Sequence, residues 1–475
     1  MSGTGSIIAN GGLSGTSWSG GGGAGGRIAI RYGSKSHSGN ISANGGVTGP
    51  GGQAGGAGSI WQRDNITGEE YLVIDNNNVG NNNNGVTTID GSSLGGNTLK
   101  NLTITDRANV VIGKDLTIGN SVWNMTDQTR FVQNGIITAN NVTSFSGGAS
   151  SIWTQNAGFV APLTSMVMGA NSIWTQNVVL SNPELLTNFV MGANSIWTQN
   201  VGISYISLQN LNVGNWTQNG SVSLPLIDNM TLLGGTVALG NGYSFKNGMN
   251  LTINSGGILT HVNTPTGNVK VNEINMTLGN LVINSGGQIN VGGRGYQGGR
   301  NGNSQSNGYG PGYGSGPSNG AGGGHGGVGG STSNRTGGIQ YGSIENPEEM
   351  GSGGGSGDSW IGGNGGGVVK LEIGGNANIV GSISANGQNG GIFGGGGAGG
   401  SINIEIGGAM NGTGSISANG GSGGDCCWQG GGGAGGRIAV RYGSKSHTGN
   451  ISVNGGLGSQ GGQAGGVGSI YQVQQ

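Results

Sequence analysis

Four tryptophans, Trp153, Trp174, Trp197 and Trp216, recur at steps of 21, 23 and 19 residues. Rings at such spacing can do one of two things. Exposed in a row, they offer a strip on which sugars stack; buried in a row, they fill a core. The reading favoured here is a stacking ladder that stabilises the fold. Each Trp lies in a Trp-Thr-Gln-Asn string, so Gln155/Asn156, Gln176/Asn177 and Gln199/Asn200 are expected to form amide ladders from coil to coil. The ionisable residues offer less. Glu345, Glu348 and Glu349 cluster beside Pro347 and read as a solvated loop rather than the acids and bases of a polysaccharide-cleaving site. His37 and His447 occupy the same Gly-Ser-Lys-Ser-His turn and are expected to be solvated. No His/Cys pair has zinc spacing, and Asp does not recur as in calcium-binding solenoid repeats. Matches to Gly-x-Gly-x-x-Gly carry no phosphate signal, because glycine is everywhere. The chain reads as no enzyme, with no catalytic residue, cofactor or metal.

Modification chemistry is better represented. Asn-x-Ser/Thr sequons fall at Asn40, Asn65, Asn101, Asn124, Asn141, Asn215, Asn219, Asn229, Asn250, Asn275, Asn334, Asn411 and Asn450. Their number is close to chance for this composition, although ten of the thirteen end in Thr. In a secreted eukaryotic protein they would carry N-linked glycans. Cys426 and Cys427 are adjacent, and neighbouring cysteines seldom bridge each other without strain. They read as part of a variable loop, with cross-linking to a neighbouring subunit as the sharper alternative.

Composition dictates the kind of element that can hold these residues. Glycine supplies 117 of 475 residues, charged residues 7%, and the apolar fraction is 32%. Such a chain cannot fill a large globular core, but it can fill a narrow one running along a rod. Proline is scarce at 8 and no strict Gly-X-Y period appears, which excludes collagen. A net charge of −1 lacks the footprint of a nucleic-acid binder, and no apolar run reaches membrane-spanning length. Strings such as Asn-Leu-Thr-Ile-Asn, from Asn250, alternate inward Leu251 and Ile253 with polar neighbours, the two-residue period of a half-buried strand. With coil steps of about 20 to 25 residues, this predicts an all-β, parallel β-solenoid, right-handed by the crossover rule.

The glycine-rich parts obey the same rule with longer loops. Val369, Leu371 and Ile373 should point inward, as should Ile402, Ile404 and Ile406, and Ile438, Val440 and Tyr442. Glu372, Glu405 and Arg441 should stack on the outside. The segmentation expected is a Gly-rich solenoid repeat over 1–64, coils over 65–290, an irregular excursion over 291–360, and a Gly-rich repeat over 361–475. Runs such as Gly-Gly-Gly-Gly-Ala-Gly-Gly either loop out or pack as left-handed extended helices, since only glycine lets backbones approach so closely.

The first and last sixty-odd residues are near copies. Gly-Gly-Arg-Ile-Ala-Ile-Arg-Tyr ends at Tyr32 and Gly-Gly-Arg-Ile-Ala-Val-Arg-Tyr at Tyr442, 410 residues apart, and Met1 falls opposite Met410. Residue 1 is therefore expected not to be the biological start, and the chain to be one period of a longer tandem array with neither end capped. The Gly-Gly-Gly-Gly-Ala-Gly-Gly-Arg/Ser-Ile-x-Ile strand followed by Gly-x-Ile-Ser-Ala-Asn-Gly-Gly resembles the glycine-rich β-helix repeats of microbial extracellular filaments and surface coats. Proteins of the tubular flagellar hairs of heterokont algae, the mastigoneme type, are among them. The resemblance implies a structural protein outside the cell, a partner that is the chain itself, stacked or in tandem, and no catalytic residues. The alternatives are a glycan- or ice-binding adhesion surface and, third, a polysaccharide-active enzyme.

Overall fold

The computed structural model describes every residue except 16–18, 81–83, 92–93, 121, 182–184, 206–207, 241, 301–305, 359 and 425–427. Cys426 and Cys427 lie outside the described residues. Among those described there is no α-helix, and the strands are short and overwhelmingly parallel. The chain forms an all-β solenoid, divided into two units, Met1–Ile227 and Asp228–Gln475.

In the first unit each coil places one strand on each of two or three faces. One face stacks Asn109–Ile112, Arg130–Gln133, Ile152–Gln155, Ile173–Gln176, Ile196–Gln199 and Asn215–Gln218, paired in strict register. A second stacks Val122–Met125, Ser144–Gly147, Ser165–Met168, Asn188–Met191 and Asn210–Val213. A third carries the short strands Leu116–Ile118, Ile137–Thr138, Phe159–Val160 and Leu180–Ser181. The corner between the first two faces needs a left-handed residue, and Ser150, Asn171 and Asn194 each take it at φ 56°. Asn is among the few side chains that visit this region readily, so the recurring Ala-Asn-Ser string encodes the corner.

The N-terminal repeat joins these coils in a way the sequence did not announce. Arg27–Tyr32 and Ser59–Asp64 are parallel, but Ser59–Asp64 meets Glu70–Asp75 in an antiparallel pair. Ile28 and Ile60 are buried with Ala43 on one side of this sheet, and Val73 packs against that cluster. Leu72 and Ile74 point to the other side, in register with Leu102 and Ile104. The core therefore changes sides of a shared sheet at the Asp64–Glu70 hairpin. Reversing both strand direction and core side amounts to half a turn about the stacking axis, which leaves the winding hand unchanged.

The second unit stacks Met249–Ile253, Ile274–Ile283, Val368–Ile373, Ser401–Asn411, Arg437–Lys445 and Ser469–Gln474 in parallel. Val369, Leu371, Ile373, Ile402, Ile404, Ile406, Ile438 and Val440 are buried as expected. Tyr442 is not: it stays half exposed, with Lys445 over its ring. Glu372, Glu405 and Arg441 share a register, yet Arg441 turns to the Glu345 carbonyl and Asn346 rather than to Glu405.

Among the described residues no strand lies between Asn290 and Val368. The excursion is instead packed main chain against main chain with the later glycine runs. Gly431 and Ala434 donate to Gly320 and Gly323, Gly432 and Gly435 to Gln463 and Gly466, and Gly433 and Gly436 to Gly421 and Ala418. Gly395–Gly400 repeats the pattern towards Gly355 and Ser352, Gly431 and Ala434, and Gln388 and Ala385. Hydrogen bonds that return to the same side every third residue are the mark of the three-residue polyproline II turn. Side-by-side packing leaves no room for a side chain: a Cβ on Gly395 would sit 1.8 Å from the Ala321 carbonyl oxygen. The glycine runs are thus packed extended helices, not loops.

Candidate functional site

The tryptophan column is the most regular constellation in the chain. Strand alternation buries Trp153, Trp174, Trp197 and Trp216 completely and turns Ile152, Ile173 and Ile196 outward. The rings stack at 5.3, 5.4 and 4.8 Å between centroids, with interplanar angles of 13°, 4° and 11°. Phe131 continues the stack below Trp153, and Phe145 and Phe189 meet it from another face. Offset stacking of this kind adds to the gain from burial alone. No ring surface is left for a sugar, so the column cannot serve as a binding strip.

The two amides beside each Trp divide their work. The outer Asn residues form a ladder, Asn156 to Asn134, Asn177 to Asn156, Asn200 to Asn177 and Asn219 to Asn200, at 2.7 to 2.8 Å. The inner Gln residues do not pair with one another as expected. Gln176 and Gln199 accept the indole N–H of the next coil, from Trp197 at 3.3 Å and Trp216 at 3.2 Å, and Gln199 donates to the Val201 and Ser221 carbonyls. The reason is position: strand alternation faces Gln inward, where main-chain and indole groups need partners, and Asn follows at the corner. Further down the column the indole N–H groups of Trp153 and Trp174, and Oε1 of Gln133 and Gln155, lack partners among the described residues.

On the outside of the same strands, Thr154, Thr175, Thr198 and Thr217 stand in register beside the Ile row. The sequon asparagines also avoid the interior. Asn40, Asn65, Asn101, Asn124, Asn141, Asn219, Asn229, Asn275, Asn334 and Asn450 are exposed, and Asn215, Asn250 and Asn411 half buried. Asn219 is also the end of the Asn ladder, and Asn250 bonds Asn229.

The ionisable groups are spent on structure. A cavity of about 520 Å³ is lined by Glu69, Glu70, Lys100 and Asn141 among others. Its carboxylates are already engaged: Glu69 with Lys100 at 2.9 Å, Glu70 with Arg63 at 3.3 Å. Hydrogen bonds from Lys100 and Tyr71 hold the Glu69 carboxyl below its usual range. Of the acidic trio, Glu348 bonds Lys370 at 2.6 Å, and Glu345 and Glu348 are exposed. His447 is buried, contrary to the solvated turn expected, whereas its counterpart His37 is only partly covered. Nothing in the local sequence pointed to the two most deeply buried histidines. Among the described residues, His261 and His325 bond main-chain carbonyls, those of Val262 and Gly399, each at 2.8 Å, and desolvation brings both rings down to about 4. Among the described residues, no three His, Cys, Asp or Glu side chains converge as a metal site would require.

No protein family, no curated protein and no solved structure matches this chain.

Proposed function

We propose that this chain is a structural, non-catalytic repeat unit of an extracellular fibre. One observation carries the reading: the two copies, 410 residues apart, fold alike down to single side chains. Arg27↔Ser59 through Tyr32↔Asp64 repeats as Arg437↔Ser469 through Tyr442↔Gln474. Arg31 lies over Trp61 at 5.5 Å and Arg441 over Tyr471 at 5.4 Å. Lys35 donates to Gln62 and Lys445 to Gln472, both at 2.6 Å. A coil that recurs one period on lets each period continue into the next, in tandem or through the head-to-tail contact that generates filaments. Two further features support a place outside the cell. The glycine-rich motif resembles those of microbial filament proteins, and the thirteen sequon asparagines lie off the core, where N-linked glycans could attach. In a tandem array, the hairpin at Asp64–Glu70 would turn the core by half a turn at each period.

Electron microscopy of the natural polypeptide tests the proposal. Unbranched fibres are expected, with a mass loss on enzymatic deglycosylation if the source is eukaryotic. Discrete particles, or reproducible turnover of a polysaccharide, would overturn it. A second reading, adhesion to a glycan or ice surface, is favoured only by the outward Thr154–Thr217 row and its Ile neighbours. Thr175→Arg with Thr198→Arg should abolish such binding with the fold intact; binding that survives both changes would remove that reading.

A further inference from the structure

The two glycine-rich copies differ in what covers them, and the difference lies on one side. In the C-terminal copy, the run Gly431–Gly436 has all three sides of its helix taken. In the N-terminal copy, the run is Gly21–Gly26. Gly22 and Gly25 donate to Gln53 and Gly56, matching Gly432 and Gly435, and Gly23 and Gly26 donate to Gly12 and Ala9, matching Gly433 and Gly436. The third side is vacant. Among the described residues the N–H groups of Gly21 and Ala24 have no acceptor, whereas Gly431 and Ala434 bond the Gly320 and Gly323 carbonyls at 2.9 Å. The carbonyls of Gly22 and Gly25 likewise have no donor, whereas those of Gly432 and Gly435 accept from Gly330 and Gly326.

The neighbouring side chains tell the same story. Arg437 and Ala439 are 2% and 0% exposed. Arg437 donates to the Tyr341 carbonyl at 2.9 Å, and Arg441 to the Glu345 carbonyl at 2.7 Å and the Asn346 side chain at 3.1 Å. Their counterparts Arg27, Ala29 and Arg31 are exposed and, with Ser59 and Trp61, line a cavity of about 510 Å³. The same residue types that grip the excursion in one copy are therefore displayed in the other without those carbonyl partners, with Arg31 resting over Trp61.

We infer that the vacant side running from Gly21 to Arg31 is a docking surface for the 320–346 segment of a second copy of this sequence. That segment would seat as the chain's own segment seats on Gly431–Arg441. The inference rests on the fibre reading and specifies its contact. The partner must be a glycine run, because on the docked segment a Cβ on Gly322 or Gly326 would stand 1.9 or 2.1 Å from the Gly432 or Gly436 carbonyl oxygen, and Gly22 and Gly26 hold the equivalent places here. Two donors, two acceptors and two guanidinium groups then find partners on one segment. A partner without glycines at threefold spacing could satisfy the arginines but not the main chain.

In a tandem array the segment of one period would reach the glycine-rich copy that opens the next by this same contact; in a single chain the C-terminal copy holds that segment, so the test supplies it as a free peptide. A peptide of residues 320–349, added to the full chain, provides it, and amide hydrogen exchange resolved by residue reads the result. Exchange at Gly21 and Ala24 should slow, with Gly431 and Ala434 unchanged. Ala29→Trp fills the cavity from an exposed position, and Arg31→Glu reverses the charge that meets the Glu345 carbonyl. Each should weaken the peptide by about tenfold or more. No slowing at Gly21 and Ala24 with peptide at about millimolar concentration, or slowing that persists in both variants, would overturn the inference. Fibres in the natural material without protection at these amides would leave the fibre reading standing and remove this contact. Protection without fibres would do the reverse.

Discussion

The coils from Asn109 to Gln218 and the glycine section from 320 to 436 solve one problem by opposite means. A solenoid must fill its interior densely along its whole length. The first region fills it with side chains, the stacked Trp153, Trp174, Trp197 and Trp216 with Phe131, Phe145 and Phe189 around them. The second abandons side chains and lays main chain against main chain, each extended run bonded to neighbours on three sides. The side-chain core gains from apolar burial and ring contacts. The main-chain core gains from hydrogen bonds at close approach, against the larger conformational entropy that glycine loses on ordering. The two should therefore fail differently: one by cavities, the other by any added atom.

The largest effect is expected where a ring is removed. Trp174→Ala deletes the indole between Trp153 and Trp197 and should cost about 3–5 kcal/mol. Exchange protection should fall across the Trp coils and stay unchanged in the glycine section. A loss spread evenly over both would mean that the two cores are not separate in energy. Addition of a single methyl is the converse probe. Gly433→Ala places a Cβ 2.0 Å from the Gly397 carbonyl oxygen and should cost about 1–3 kcal/mol by overpacking, confined to the glycine section. Next door, Ala434 is fully buried with its methyl accommodated, so Ala434→Gly should be the milder change.

Acid distinguishes the regions next. His261, facing Arg294 and Glu273, and His325, facing Arg437, are held neutral by burial at about 4, against about 6.5 unfolded. A depressed histidine contributes stability fully above the unfolded value. That stability is lost as the unfolded chain takes up protons, between about pH 6.5 and 4, with no further loss below. The loss should reach at most about 3 kcal/mol for each ring. The first unit carries only His37, partly exposed, so its denaturation midpoint should move little over the same range. Equal pH slopes in both units would refute the assignment. The smallest effect belongs to the outer ladder: Asn177→Ala breaks bonds to Asn156 and Asn200 at solvent-exposed positions and should cost about 0.5–1.5 kcal/mol, read as faster exchange near Asn156 and Asn200.

Much of this was legible in the chain itself. Alternation in Asn250–Ile253 and Val369–Ile373 gave the buried faces, because a strand's side chains have a period of two whatever they pack against. The steps between Trp-Thr-Gln-Asn strings gave the coil, and the copies at Arg27 and Arg437 gave the period. The corner at Ala-Asn-Ser was not read from the sequence, although Asn tolerates the positive φ found there. The candidate site was half legible: the column could be placed, but Ile and Trp in succession are both apolar, so which faced inward was left to packing. Of the Gln and Asn pair, the Asn ladder was legible and the Gln ladder was misjudged for a related reason, since one residue's shift along a strand moves an amide from the core to the surface.

Sequence alone determined the coil length, the alternation and the 410-residue period, since these follow from local geometry and repetition. Only the tertiary structure decided the rest. Ser59–Asp64 carries Ile60 on one side and Trp61 on the other, so nothing local says that a second core will form on the Trp61 side, opposite Ile60; the antiparallel pairing with Glu70–Asp75 does. His325 sits in a polar, glycine-rich stretch and is buried only because Gly399, Tyr341 and Arg437 converge on it from distant coils. Glycine, finally, carries no side-chain pattern to read. Whether Gly431 loops into water or bonds Gly320 depends on which other runs lie within 3 Å, and that is fixed by chain segments more than a hundred residues away.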